Sequence, residues 1–131
     1  MQSTDTPSPA ALTRLTGKRV LVVEDEALIA MLAEEMLEEL GCITHAVAPT
    51  VPKALALVEA GGFDLAILDV NVARERVFPV ADALAARDIP FVFASGYGEQ
   101  GLRDDFKSRP LVGKPYSGDQ LEKALLAALA Q

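Results

Sequence analysis

The feature that most restricts the fold of this chain is a repeated alternation. A short apolar run is followed by a longer amphipathic segment, with Gly, Pro, Asp or Asn at the joints. Five such alternations fit from Lys18 onward. The strand candidates are Arg19 to Val23, Ile43 to Val47, Leu65 to Leu68, Pro90 to Ala94 and Leu111 to Gly113. Several are continuously apolar, as strands are when both faces of a parallel sheet are covered. Helices are therefore expected on both sides, giving an α/β, doubly wound (βα)5 three-layer sandwich.

The segments between the strands read as helices. The first sets Ile29, Leu32, Met36, Leu37 and Leu40 on one face and Glu34, Glu35, Glu38 and Glu39 on the other, and Gly41 ends it. A second is expected from about Val51 to Ala60, before Gly61-Gly62, and a third from about Phe78 to Arg87. A fourth, about Glu99 to Lys107, is polar, weakly periodic and contains Gly101. The fifth opens at Ser117, where Ser-Gly-Asp-Gln matches a capping box, with Leu121, Leu125, Ala128 and Leu129 as its apolar face. Residues 1–17, with Pro7 and Pro9, read as a flexible tail outside a domain spanning 18–131.

Composition removes several function classes. A hydrophobic fraction of 50% with 24% charged residues is that of a packed globular unit, and no apolar run approaches the roughly 20 residues that span a bilayer. The first residues lack the basic and apolar regions of a secretory signal, so a cytoplasmic, non-membrane protein is expected. The single cysteine, Cys42, belongs to no metal-binding spacing and reads as a small core residue. A net charge of −7 without a compensating basic run argues against nucleic acid as a partner.

Ligands of doubly wound sheets sit at the carboxyl ends of the strands. There the chain places Glu24-Asp25 after the first strand, Asp69 after the third, Ser95 after the fourth and Lys114 after the fifth. Taken singly, Asp25 also reads as a helix N-cap, Ser95 as a loop hydroxyl and Lys114 as a solvated lysine. Together they form a self-repelling acid cluster that calls for a cation. Oxygen ligands suit Mg2+, held directly by Asp25 and Asp69, through water by Glu24 and by a backbone carbonyl near Asn71. A lysine and a hydroxyl facing that ion suit a phosphoryl group, with one carboxylate as its acceptor.

These motifs, Val22-Val23-Glu24-Asp25-Glu26, Leu65-Ala66-Ile67-Leu68-Asp69, Phe93-Ala94-Ser95-Gly96 and Gly113-Lys114-Pro115-Tyr116, resemble in their order a response-regulator receiver domain of two-component signalling. The resemblance covers about residues 18–130. It implies a flavodoxin-like, CheY-like sheet of order 2-1-3-4-5 and phosphorylation of Asp69 by a histidine kinase or histidine phosphotransfer protein. It also implies Mg2+ held by Glu24, Asp25, Asp69 and the Asn71 carbonyl, with Ser95 and Lys114 on the phosphoryl oxygens.

Phe91-Val92-Phe93-Ala94-Ser95-Gly96-Tyr97-Gly98 further resembles the FAT GUY subgroup of bacterial receivers, with Ser95 in place of the usual threonine. Many receivers carry an aromatic switch residue three positions before the lysine, where this chain has Leu111. Tyr97 and Tyr116 are candidates for a related role, and Tyr97 and Asn71 for setting the hydrolysis rate. The expectation is a single-domain signalling protein, not a classical enzyme, without an output domain. It would act through a downstream protein target, through onward phosphotransfer or as a phosphate sink. Rival readings are a pseudo-receiver that binds partners without phosphorylation, and a Mg2+-dependent phosphohydrolase. The second lacks its second acid, because Asn71 follows in Asp69-Val-Asn71.

Overall fold

The computed structural model describes residues 14–130. Among them the order is β1 Arg19–Val23, α1 Ala27–Glu39, β2 Ile43–Ala48, α2 Val51–Ala60, β3 Leu65–Asp69, a hairpin of β4 Asn71–Val72 and β5 Glu75–Arg76, α3 Phe78–Ala86, β6 Phe91–Ser95, β7 Leu111–Gly113 and α4 Gly118–Ala130. Five strands form one parallel sheet in the order β2-β1-β3-β6-β7. Counting only those strands, this is the expected 2-1-3-4-5 order of a flavodoxin-like, CheY-like fold. The register aligns the carboxyl ends: Val23 pairs with Leu68, Asp69 with Ala94 and Ser95 with Gly113.

Every residue of β3 and β6 is buried, so their uninterrupted apolar character follows from being covered on both faces. The alternation appears in which face each side chain takes. Leu21 and Val23 of β1 pack with α2 and α3, while Val20 and Val22 pack with α1 and α4. On the α2/α3 side Phe91, Phe93 and Phe106 form an aromatic group with ring centroids 5.3 to 5.8 Å apart, joined by Phe78 at 6.1 Å from Phe93. The Arg103 and Arg109 guanidiniums lie 4.7 Å from the Phe106 and Phe91 centroids respectively.

Helix ends follow local chemistry. Thr50 Oγ1 accepts from Lys53 N–H at 3.2 Å to start α2. At α4 the expected capping box forms in both directions: Ser117 N–H donates to Gln120 Oε1 at 2.8 Å and Gln120 N–H to Ser117 Oγ at 3.2 Å. α1 closes through Gly41, whose φ of +83° lets Cys42 N–H reach back to Leu37 O at 2.9 Å.

Three expectations need correction, and one element was not foreseen. The helix anticipated at about Glu99 to Lys107 does not form; two 3-10 turns, Gly98–Gly101 and Asp104–Phe106, connect β6 to β7. Gly98 (φ +60°) and Gly101 disfavour an α-helix, and only Leu102 and Phe106 are buried there, too few for an apolar stripe. The hairpin at 71–76 was not anticipated. In α1 the inward stripe is Ala30, Ala33, Leu37 and Leu40, while Leu32 is 46% exposed and Ile29 and Met36 are half-buried, because the small alanines face the sheet. Finally, the expected tail boundary at residue 17 is late. Residues 1–13 lie outside the described residues, but Leu15 is fully buried and Gly17 N–H donates to Gly41 O at 2.8 Å.

Cys42 lies in the α1/α4-side core with its thiol 3.5 Å from Leu15 O, and burial pushes that thiol up to about 11. Native Cys42 is therefore expected to react with a thiol reagent at pH 8 at least ~100-fold more slowly than in the unfolded chain, since the thiolate is the reactive form. Timed alkylation with mass detection, with and without denaturant, checks this.

Candidate functional site

The site assembles where β1, β3, β6 and β7 end. Glu24 follows β1 and its N–H donates to Ala48 O at 3.0 Å, which fixes the turn leaving the sheet. Its side chain folds back: Oε2 accepts from Glu26 N–H at 3.1 Å and Oε1 from Lys114 Nζ at 2.9 Å. Asp69 ends β3, with Oδ2 3.3 Å from the same ammonium. Lys114 follows β7, where its N–H donates to Ser95 O at 2.9 Å, and it is joined to Pro115 by a cis peptide. Glu24, Asp69 and Ser95 are the buried polar residues among those described. Buried polar and charged groups of this kind are retained where they are paired.

Burial holds both Glu24 and Asp69 above the usual carboxylate range, against the pull of Lys114. For Lys114, burial works against the charged form, but its bond to Glu24 and the charge of Asp69 prevail and raise it. Two carboxylates thus share one ammonium, which leaves the group one positive charge short. Asp25, exposed at the rim, adds a third acid, and one oxygen from each of Glu24, Asp25 and Asp69 lies within 4.8 Å of the others. Hard oxygen donors at that spacing, with excess negative charge, fit a divalent cation such as Mg2+.

The other residues singled out in the sequence separate by location. Asn71 is exposed on the cavity wall, and its backbone favours the charged form of the Asp69 carboxylate. Ser95 is buried and its Oγ accepts from Tyr97 N–H at 3.0 Å. Tyr97 lines the rim of the cavity at 74% exposure. Leu111 is half-buried against the α2/α3-side core, away from the cavity. Tyr116 is half-buried, lines the cavity and packs on the α1/α4-side core. Burial first, then the nearby charge of Glu24, raises its phenol.

Sequence reasoning missed two components. Residues of α1, among them Ile29, Leu32 and Met36, wall the cavity above Asp69. Their signal was a surplus of apolar residues around α1, where Leu28 and Met31 are also exposed, beyond what one inward stripe requires. The second is Arg76, whose Nη1 donates to Gly101 O at 2.9 Å and ties the hairpin after Asp69 to the turn after Ser95. A Cβ on Gly101 would stand 3.3 Å from Ser95 Oγ, so this connection abuts the hydroxyl itself.

A doubly wound sheet carrying an acid cluster, a hydroxyl and a lysine at these strand ends defines a receiver-type domain. A family model for the response regulator receiver domain matches residues 20–125, and the chain belongs to that family. Its members are signalling modules rather than classical enzymes. The chain is similar to the transcriptional regulatory protein PdtaR of Mycobacterium tuberculosis, 32% identical over 135 residues, covering 100% of this chain and 64% of that protein. It is also similar to the phyllosphere-induced regulator PhyR of Methylorubrum extorquens, 29% identical over 84% of this chain and 43% of PhyR. The chain thus spans about two thirds or less of those curated relatives. Among solved structures, SdrG from Sphingomonas melonis superposes with a TM-score of 0.79 at 50% identity, covering 86% of this chain and 97% of SdrG. The BeF3-activated conformation of SdrG gives 0.74. Among the described residues no helix is long and apolar enough to cross a membrane.

Proposed function

We propose that this receiver accepts a phosphoryl group on Asp69 from a histidine kinase or histidine phosphotransfer protein in the cytoplasm. It then signals by protein contacts or by passing the group on. The observation that carries this reading is the Asp69 carboxylate at the end of β3, 3.3 Å from Lys114 Nζ and within the Glu24–Asp25–Asp69 cluster. An Asp69 oxygen attacks phosphorus and the donor's ring nitrogen departs, while Lys114 and the Ser95 hydroxyl hold the oxygens of the transferred group. Asp25, Asp69, Glu24 through water and the Asn71 carbonyl would hold Mg2+. When bound, the ion supplies charge neutralisation for the phosphoryl oxygens. The Phe91–Gly98 stretch resembles the FAT GUY subgroup, which is the subgroup we propose for it.

For docking, α1 offers exposed Leu28 and Met31 beside Glu34, Glu35, Glu38 and Glu39. That surface fits a partner presenting an apolar strip flanked by basic groups. In the output step, movement of Ser95 toward the phosphoryl group would be felt at Gly101 and, through Arg76, at the hairpin.

The test is incubation with a small acyl phosphate and Mg2+, read by intact mass. The native chain is expected to gain one phosphoryl group and Asp69→Asn none. An adduct in neither protein, whether the donor is small or a kinase, would leave a protein-binding module without phosphorylation, and an adduct in both would move the acceptor away from Asp69. A second expected outcome concerns the cation. At ten times its Kd, Mg2+ stabilises the native state by about 1.4 kcal/mol. This corresponds to a rise in Tm of roughly 4–6 °C. Asp25→Asn should remove most of that rise in a thermal melt followed by circular dichroism.

A further inference from the structure

The cavity at Asp69 has two unlike ends and is larger than the proposed phosphoryl chemistry needs. Its volume is about 490 Å3. At about 30 Å3 for each water-sized group, a phosphoryl group with a hydrated cation takes up roughly 250 Å3. Asp69 and Ser95, both buried, close it at the strand ends. The rest of the lining is largely apolar: Ile29, Leu32, Ala33 and Met36 come from α1, and Pro115 and Tyr116 from the segment after Lys114. Leu32 at 46% and Tyr97 at 74% exposure show that this end is open to entry from solvent.

In-line transfer puts the leaving group on the side of phosphorus away from the attacking oxygen. With Asp69 on the floor, that side is the mouth. We infer that the lobe between α1 and Pro115-Tyr116 is a leaving-group subsite, so that this receiver selects phosphodonors whose leaving group is a flat, weakly polar ring over donors with a small polar one. A ring there removes apolar wall from water and meets the polarizable Met36 thioether and the Tyr116 face. The inference rests on the reading of Asp69 as phosphoacceptor.

Benzoyl phosphate and acetyl phosphate test it, because they transfer the same group by the same step. An Asp69 oxygen bonds to phosphorus, the bond from phosphorus to the acyl oxygen breaks with its electron pair, and a carboxylate departs without any proton transfer. Second-order rates of adduct formation, followed by intact mass in Mg2+, are expected to favour benzoyl phosphate by about tenfold in the native chain. Leu32→Gln, at a position exposed enough to tolerate it, and Met36→Gln should each lower that ratio by about threefold or more. Ile43→Gln, an exposed apolar residue on the edge strand β2, should leave the ratio in place. A native ratio near one, or a ratio that survives both α1 substitutions, overturns the subsite while Asp69 remains the acceptor. Failure of both donors to modify Asp69 overturns the receiver chemistry and the subsite together.

Discussion

Phe93→Ala is expected to lower the stability of the domain by about 3–5 kcal/mol. Phe93 is fully buried in β6, and its ring touches Phe91, Phe106 and Phe78 with centroids 5.3, 5.5 and 6.1 Å away. Removing it opens a void that rigid neighbours on a central strand cannot fill. The damage should not spread evenly. Phe106 anchors the β6–β7 connection, which has no α-helix of its own to hold it, so loss of the Phe93 ring frees that connection first. Urea denaturation reads the global loss. Hydrogen exchange should show the amides of residues 98–106 losing protection more than those of α1, which packs on the other face of the sheet.

Lys114→Met is the second large effect. The ammonium lies 2.9 Å from Glu24 and 3.3 Å from Asp69, with side-chain exposures of 16%, 6% and 10% for the three groups. Without it two buried carboxylates face each other unneutralised, at a cost of about 2–4 kcal/mol near neutral pH in the absence of metal. The sign with pH is set by burial, which already raises both carboxylates above their unfolded values. Between the unfolded and folded pKa values the native state binds more protons, so stability rises as pH falls through that window. The deficit of the variant should therefore shrink on mild acidification. Lys114 itself, raised above 10.5, stays charged throughout that range in the native chain. Added Mg2+ should recover part of the loss, because it supplies the missing positive charge. Melting curves of both proteins from pH 5 to 8, with and without Mg2+, check each part.

The central sheet was legible because β1, β3 and β6 are covered on both faces, and such strands advertise themselves as unbroken apolar runs. Once their order was implied, residues directly after each run had to converge, and the Glu24–Lys114–Asp69 contacts are that convergence. Ser117 and Gln120 were readable for a different reason, since a capping box is local chemistry. What escaped depends on distant partners. Ala73 and Arg74 form the tip of the β4–β5 hairpin at φ of +49° and +70°, without the glycine or asparagine that would announce such a turn. The β6–β7 connection is held by Arg103 bonded to Asp82 of α3 and by Arg76 bonded to Gly101, contacts that no periodicity contains. In α1 the period was right but the inward stripe is rotated, because Ala30 and Ala33 compete successfully with larger residues for the place against the sheet.

The bond between Glu24 and Lys114 joins positions 90 residues apart, and β7 stands at the edge of the sheet, beside β6 alone. Until that last strand is laid down, Asp69 has an acidic neighbour and no ammonium. If Asp69 is the phosphoacceptor we propose, competence to receive phosphate is a property of the finished sheet and not of the loop that bears the aspartate. On the proposed reading, a chain still emerging from the ribosome, or one whose last strand has frayed, would not respond to a phosphodonor, so a signal would come only from molecules that have completed their folding.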